Sequence, residues 1–544
     1  MQEQKIMNYI KVYTKISGEE YPNSFANSVH FALCGADGRM EELNQGCGIL
    51  YALAKIREDD TLMERGIKNP VIFERDNQYG ILAEYVDAEG NFLAPNTLLL
   101  WDTADFINFS KQREVSRADY AAIFEAGSTS IPIPDALCEK IRARWFPLFS
   151  VRADYPDKLL VKSAKELSAI TAKVIYSDGS ADEKRIFWNE EEVRALKPGL
   201  TVKVHGEIRA VSPKFPLAVG YADPVIFSFK GSWYFLATND NVNDIGLFVR
   251  RADTVAGLFA PDVKEYCILA QNPEKGLVQT FWAPEFHVIG GALYIIFAVS
   301  KSVWGPQCHF MKLKEGGEII RAKDWEEPVQ VVRKDGRPLA PDGITLDMTW
   351  VLSGEQGYLV WSYRRGIGTP ADTGSMLYIA TADKENPWVL TSDPVLLSRP
   401  LYGWENTEGT INNEGPYALY AGSRIYLAYS GGDACGYSYA VGYLVAEDGA
   451  DLLNIDSWKK FPSPMLRSTF VEGIQGPGHN SFFQDEDGQW MIAYHAQERE
   501  KYHCRCSTYH RVHFSADGLP MLNVAGKRDV AAEIREVEVT VEQL

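Results

Sequence analysis

The sequence predicts an all-β protein organised around a C-terminal five-bladed β-propeller. Two observations carry the prediction, a recurring strand phrase and its period. The phrase runs from a leading residue into a short apolar strand, a Gly or Asp turn, and a second strand with an aromatic near its start. It occurs as "DPVIFSFKGSWYFLAT", "APEFHVIGGALYIIFA", "DMTWVLSGEQGYLVWS", "EGPYALYAGSRIYLAYS" and "HNSFFQDEDGQWMIAYH". The aromatics Tyr234, Tyr294, Tyr358, Tyr426 and Trp490 recur at intervals of 60, 64, 68 and 64 residues. Each unit continues into a third strand ending in a polar turn, such as "IGLFVRRAD" or "AVGYLVAEDG", and several add an outer segment carrying Trp, such as "NPWVLTS". Four short strands per unit and five units are the pattern of a propeller, whereas a sandwich predicts no such period.

The other elements follow in order. At 544 residues the chain exceeds one ordinary core. Residues 1–149 hold "NPVIFERDNQYGILAEYV" followed by "NTLLLWDTADFINFSKQREV", the strand order of a propeller unit, with part of a further blade before it. Two blades are too few to close a ring, so this is expected to be a partial propeller-like β module that packs on something else. Residues 150–212 alternate strands with Ser-Asp-Gly and Pro-Gly turns, and resemble a small bacterial Ig-like β-sandwich. The propeller is assigned to 213–522, and 523–544 to a C-terminal β extension. The abundance of aromatics, with 13 Trp, 27 Tyr and 25 Phe, fits sheet packing first and sugar stacking second.

A net charge of −18 disfavours nucleic acid, whose phosphates need a basic surface, and an anionic membrane likewise. No apolar run is long enough to span a bilayer, and the opening "MQEQKIMNYIKVYTKISGEEYP" has no signal-type core. The 8 cysteines are scattered and suggest no disulfide framework. A cytoplasmic protein is expected. "HCRC" at 503–506 lacks a second pair with zinc spacing.

In a propeller the first strand of each blade lines the central channel, so its leading residues converge at one mouth. Here they are Asp223, Ala283, Asp347, Glu414 and His479. Three carboxylates brought to one axis raise one another's pKa and cost stability, which marks a functional site. Two carboxyls on opposite sides of a glycosidic bond, roughly 6.5–9.5 Å apart, are what inverting hydrolysis needs, one to protonate the leaving oxygen and one to activate water. A third can orient the acid and keep it protonated.

The phrases "ADPVIF", "FWAPEF", "LDMTWV", "NNEGPYALY" and "GPGHNSFF…YHA", in this order over about 215–520, resemble glycoside hydrolase family 43, the five-bladed propeller enzymes of arabinose- and xylose-containing glycans. The resemblance implies Asp223 as general base, Glu414 as general acid and Asp347 as the carboxylate that orients the acid and tunes its pKa. It implies a channel histidine at His479, which in many relatives contacts a metal ion, often calcium, and no organic cofactor. Glu408 rivals Glu414, but only Glu414 is followed by the proline and strand of the blade phrase. Glu285 is expected to be structural. Trp282, Trp350 and Arg505 are expected to contact substrate. The implied activity is release of terminal α-L-arabinofuranose from oligosaccharides, with β-D-xylosidase or galactofuranosidase activity on the same scaffold as alternatives. A non-catalytic glycan-binding propeller is the alternative of another class.

Overall fold

A computed structural model describes residues 8–18, 21–35, 38–76, 78–407, 410–498, 501 and 504–544. The chain divides into two compact units, one of residues 1–146, 215–483 and 493–508, the other of 147–214, 484–492 and 509–544.

Five four-stranded antiparallel sheets form the blades of the propeller. Their inner strands are Tyr221–Phe229, Gln279–Ile289, Gly343–Ser353, Glu414–Ala421 and Gly478–Gln484. Blades 1 to 4 take their four strands in chain order. Blade 5 differs, because its outer strand is Ala218–Val219, from just before blade 1, paired with the strand Cys504–Arg511. That borrowed strand joins the two ends of the repeat and closes the ring. The hydroxyl of Ser481 in blade 5 also donates to the carbonyl of Pro224 in blade 1 at 2.7 Å. Apolar residues of adjacent blades share clusters: Leu236, Val249, Phe286 and Ile295 in one, Ile296, Phe310, Leu359 and Ala380 in the next.

The repeated phrase has a backbone meaning. Asp223, Ala283, Asp347 and His479 all sit at positive φ, between 45° and 53°, and in blade 4 the next residue, Gly415, takes that role at 56°. The strand pairing slips at the same places, at Ala222/Val225, Trp282/Glu285, Leu346/Thr349 and Glu414/Tyr417. The inner strands of blades 1 to 4 thus begin in a β-bulge, which bends the strand and re-aims one side chain. The left-handed conformation costs a non-glycine residue roughly 1–2 kcal/mol, a strain that collects at functional positions.

The N-terminal module contains two more four-stranded sheets, one of Gly66–Arg75, Gln78–Val86, Thr97–Thr103 and Arg113–Ser116, the other ordered Ser130–Ile133, Asn8–Tyr13, His30–Cys34 and Met40–Glu42. It packs on the propeller within the same unit. Asn44 bonds to the Ser463 hydroxyl at 2.7 Å, Asp60 pairs with Arg365 at 2.5 Å, and the Arg467 guanidinium lies over the Phe25 ring at 4.6 Å.

The second unit is one curled six-stranded sheet, ordered Ser150–Asp154, Thr171–Tyr176, Ala181–Trp188, Thr201–Ile208, Glu536–Gln543 and Lys158–Val161. The strand Ala181–Trp188 pairs by its first half with one neighbour and by its last three residues with the other, which folds the sheet over. The C-terminal strand is inserted between two strands from 158–208, so the chain end is integral to this sheet. A buried Lys184–Asp529 ion pair at 2.7 Å, with the Tyr176 hydroxyl donating to the same carboxylate, ties the C-terminal segment in place. All eight cysteines are free. Among the described residues no helix is long and apolar enough to cross a membrane.

Candidate active site

The channel mouth gathers Asp223, Asp347 and Glu414, which are only 6%, 3% and 9% exposed. Their positions follow from the bulges, and the bulges are held by a relay of polar side chains. A bulge frees a backbone N–H, and a buried N–H needs an acceptor. The second strand of the preceding blade supplies it. Thr238 Oγ1 of blade 1 accepts from Ala283 of blade 2 at 2.8 Å, and Ser430 Oγ of blade 4 accepts from His479 of blade 5 at 2.7 Å. His495 Nδ1 of blade 5 accepts from Asp223 of blade 1 at 3.2 Å.

Asp223 is surrounded by polar side chains, with Thr238, His479 and Arg505 turned to the carboxylate as donors and His495 Nδ1 accepting from its backbone N–H. Thr238 Oγ1 donates to Oδ2 at 2.6 Å. His479 Nδ1 lies 3.1 Å from Oδ1, His495 Nδ1 3.2 Å, and the Arg505 guanidinium 3.8 Å. Burial pushes this carboxyl up, but His479, the His495 contact and Arg505 together outweigh it and hold Asp223 well below the usual carboxylate range. It is therefore ionised at any ordinary pH.

Glu414 has the opposite environment. Burial pushes it up, the Tyr439 hydroxyl donating to Oε1 at 2.9 Å draws it down, and the Asp223 charge raises it again, leaving it at about 7. Asp347 is pushed well above its usual value by burial, then by the charges of Glu414 and Asp223, while the Gly415 N–H donating to Oδ2 at 3.1 Å draws it down. One bond thus links Asp347 to the bulge that carries Glu414. The outcome is one ionised and two proton-retaining carboxyls at one mouth, a division suited to acid–base work.

Glu285 is buried and hydrogen-bonded to His287 Nε2 at 2.6 Å; burial raises its pKa, and its charge adds to the rise at Asp347. Burial lowers His479 to about 4, so its ring is neutral. Because a carboxylate only accepts, Nδ1 carries the proton toward Asp223 and Nε2 keeps a lone pair. That suits His479 as one nitrogen donor to a metal ion. Among the described residues no cluster of three or more His, Cys, Asp or Glu side chains gathers to hold one, and calcium favours six to eight oxygen ligands.

Arg505 lies beside Asp223 and is locked to Asp240 by two bonds, at 3.1 and 2.6 Å. Trp282 stands next to the Ala283 bulge, its indole N–H donating to Asp244 at 2.8 Å and its ring meeting the Trp304 edge 5.6 Å away. Burial raises Asp244 to about 6. Trp350 departs from expectation. Its ring lies on Gly357 of the neighbouring strand, where any Cβ would clash, and packs against the core of blades 2 and 3. The slip at Leu346/Thr349 resets the strand's alternation, which places Trp350 in the layer between blades. Glu408 and His503 lie outside the described residues.

Thr238, His495 and Tyr439 were missed by sequence reasoning. His495 sits inside the phrase "YHA", whose position at the end of a second strand marks it for the relay. Thr238 holds the equivalent place in "FLATN", whereas Tyr439, in "CGYSYAV", had no flag.

Residues 216–520 match the profile of glycosyl hydrolases family 43. Over 321 residues the chain is 32% identical to an extracellular exo-α-(1→5)-L-arabinofuranosidase of Streptomyces avermitilis, covering 57% of this chain and 63% of that protein. A Streptomyces chartreusis protein of the same name is 34% identical over 298 residues, with 54% and 85% covered. The chain thus spans less than two thirds of the first relative. Among solved structures, an α-L-arabinofuranosidase from Lactobacillus brevis is similar with a TM-score of 0.49 and 31% identity, over 56% of this chain and 94% of that one. That both Streptomyces relatives are extracellular enzymes overturns the cytoplasmic placement expected from the opening residues.

Proposed function

The chain belongs to glycosyl hydrolases family 43, and from that premise we propose that it is an inverting exo-acting α-L-arabinofuranosidase on arabinose-containing oligosaccharides. The observation that carries the reading is the split between Asp223 and Glu414. Asp223, held ionised by His479, His495 and Arg505, takes a proton from the attacking water. Glu414, still protonated up to about pH 7, gives its proton to the leaving glycosidic oxygen. Asp347 accepts from the Gly415 N–H and so positions the bulge that carries Glu414, while the Asp223 charge opposes the ionisation of Glu414. Trp282, fixed by Asp244, offers an apolar face to a sugar ring. Arg505 positions the base. An ion on His479 would add positive charge at the channel side of Asp223.

The choice of sugar is supported by the names of the Streptomyces relatives. The test is release of 4-nitrophenol from its α-L-arabinofuranoside, β-D-xyloside and β-D-galactofuranoside, with the anomer of the first-formed sugar followed by NMR. Release from the arabinofuranoside with inverted configuration is expected. Release only from another glycoside would reassign the substrate, and saturable glycan binding without release from any would make this a binding propeller.

A further inference from the structure

Glu405 and Lys460 form a buried ion pair in blade 4 that the acid–base scheme does not use. Glu405 has no exposed surface, and its carboxylate meets Lys460 Nζ at 2.6 Å. It also accepts from the Tyr429 hydroxyl at 2.8 Å, the Tyr402 N–H at 2.8 Å and Asn413 Nδ2 at 2.9 Å. Lys460, on the outer strand Lys459–Lys460, donates further to the Arg399 carbonyl at 2.8 Å and to Asn413 Oδ1 at 3.0 Å. Both charges therefore meet on one residue, Asn413, which directly precedes Glu414 and is itself fully buried.

Asn413 has every polar atom engaged. Oδ1 also accepts from the Ser398 hydroxyl at 2.7 Å, and Nδ2 donates to the Asn412 carbonyl at 2.9 Å. Its backbone N–H donates to the Ser375 carbonyl at 2.9 Å, and its carbonyl accepts from the Ser362 hydroxyl of blade 3 at 3.3 Å. In strand register Ser362 matches Thr238 and Ser430, so the relay between blades reaches blade 4 through Asn413.

A buried ion pair is a costly way to fill space, because well-packed apolar side chains of similar volume are often as stable or more so. What charged partners supply is geometry, since their bonds are short and strong and leave Asn413 one orientation. Glu414 is the next residue, one Cα step of about 3.8 Å along the chain. On its far side the Gly415 N–H is bonded to Asp347. The backbone that carries Glu414 is thus held immediately before and immediately after it. We propose that Asn413, locked by Glu405 and Lys460, is a positioning residue for the proton transfer made by Glu414. Being fully buried, it touches neither substrate nor the reacting atoms, and it acts by fixing the backbone from which the Glu414 carboxyl reaches the leaving oxygen. This role rests on the reading of Glu414 as the general acid.

The test compares kcat and KM of the full chain on α-1,5-L-arabinobiose, whose leaving sugar needs the proton, and on 4-nitrophenyl α-L-arabinofuranoside, whose leaving phenolate needs it less. Glu414→Gln sets the reference. It is expected to lower kcat more on the disaccharide than on the aryl glycoside. Equal losses there, or no turnover of either substrate by the native chain, would break the acid assignment and this role with it. Asn413→Ala is expected to lower kcat on arabinobiose by about 10–100-fold, the order of loss when a reacting group is displaced by about 1 Å. Its KM should stay near native, and its loss on the aryl glycoside should be several-fold smaller. Lys460→Met keeps the apolar stem and removes the ammonium. It should show the same pattern more weakly, and it covers the case in which Asn413→Ala does not fold, as judged by circular dichroism. With Glu414→Gln behaving as expected, equal losses on both substrates in the folded variants would make Asn413 merely structural and overturn the proposal. Native kcat on both substrates would overturn it as well.

Discussion

Asp223 and Asn69 head the same kind of strand in two parts of the molecule. Each precedes Pro-Val-Ile-Phe, each sits at positive φ, 53° and 49°, and each marks a slip in the pairing with the next strand. The backbone is duplicated, and the surroundings are not. Asn69 is exposed and donates to Glu84 at 2.6 Å, a carboxylate already paired with Arg117. Asp223 is buried among two histidines, an arginine and a threonine supplied by blades 1 and 5. The bulge therefore does not make a catalytic residue. The closed ring sets the two apart, because only there does the neighbouring blade bring donors to the bulge.

The sharpest way to break the comparison is to make Asp223 resemble its silent counterpart. Asp223→Asn is expected to lower kcat by about 10²–10⁴-fold, the usual contribution of a positioned base. Chromogenic turnover near the native rate in that variant would end the assignment. Glu414→Gln should cost a similar factor on substrates with poor leaving groups and less on 4-nitrophenyl glycosides, whose leaving group needs less protonation.

The two amide swaps should also separate in stability. Asp223 is depressed by folding, so it stabilises the native state above the ordinary carboxylate pKa, and that contribution is lost as pH falls through its folded value. Glu414 is raised, so its contribution is full below about 4.5 and is lost as pH rises through about 7. At pH 8, Asp223→Asn should lower Tm and Glu414→Gln should raise it. Calorimetric scans that move both Tm values the same way would refute this division.

Smaller effects sharpen the picture. The rate should fall on the alkaline side near pH 7, as Glu414 loses its proton, with the acid limb well below the usual carboxylate range. Tyr439→Phe removes a bond that favours ionised Glu414, so the alkaline limb should move to higher pH, by roughly one unit or less. Asn69→Asp should be the smallest. It gains no turnover in the Asp223→Asn background, and it slightly lowers Tm by setting a second carboxylate against Glu84.

Much of this was legible in the sequence because a propeller writes its geometry as a period. The phrase that positions Asp223, Asp347, Glu414 and His479 is local, with each strand and turn contained in about twenty residues. The partners that decide their chemistry are not local. Thr238 and His495 act across to the next blade, and Tyr439 lies just before the third strand of blade 4, so nothing beside the carboxylates in the chain announced them. Trp350 was misread for a related reason. Trp350 lies three residues beyond Asp347, and its ring rests on Gly357 against the core of blades 2 and 3, a contact made across strands that the local phrase does not announce.

Asp223 is made early in the chain, yet His479, His495 and Arg505, which keep it charged and aimed, come more than 250 residues later. The strand that closes the ring pairs residues 218–219 with 506–507. During synthesis the growing polypeptide therefore carries every carboxylate of its active site before the last blade can complete the base. A fragment ending between Glu414 and that blade would keep all three carboxylates and lose the side chains that surround Asp223.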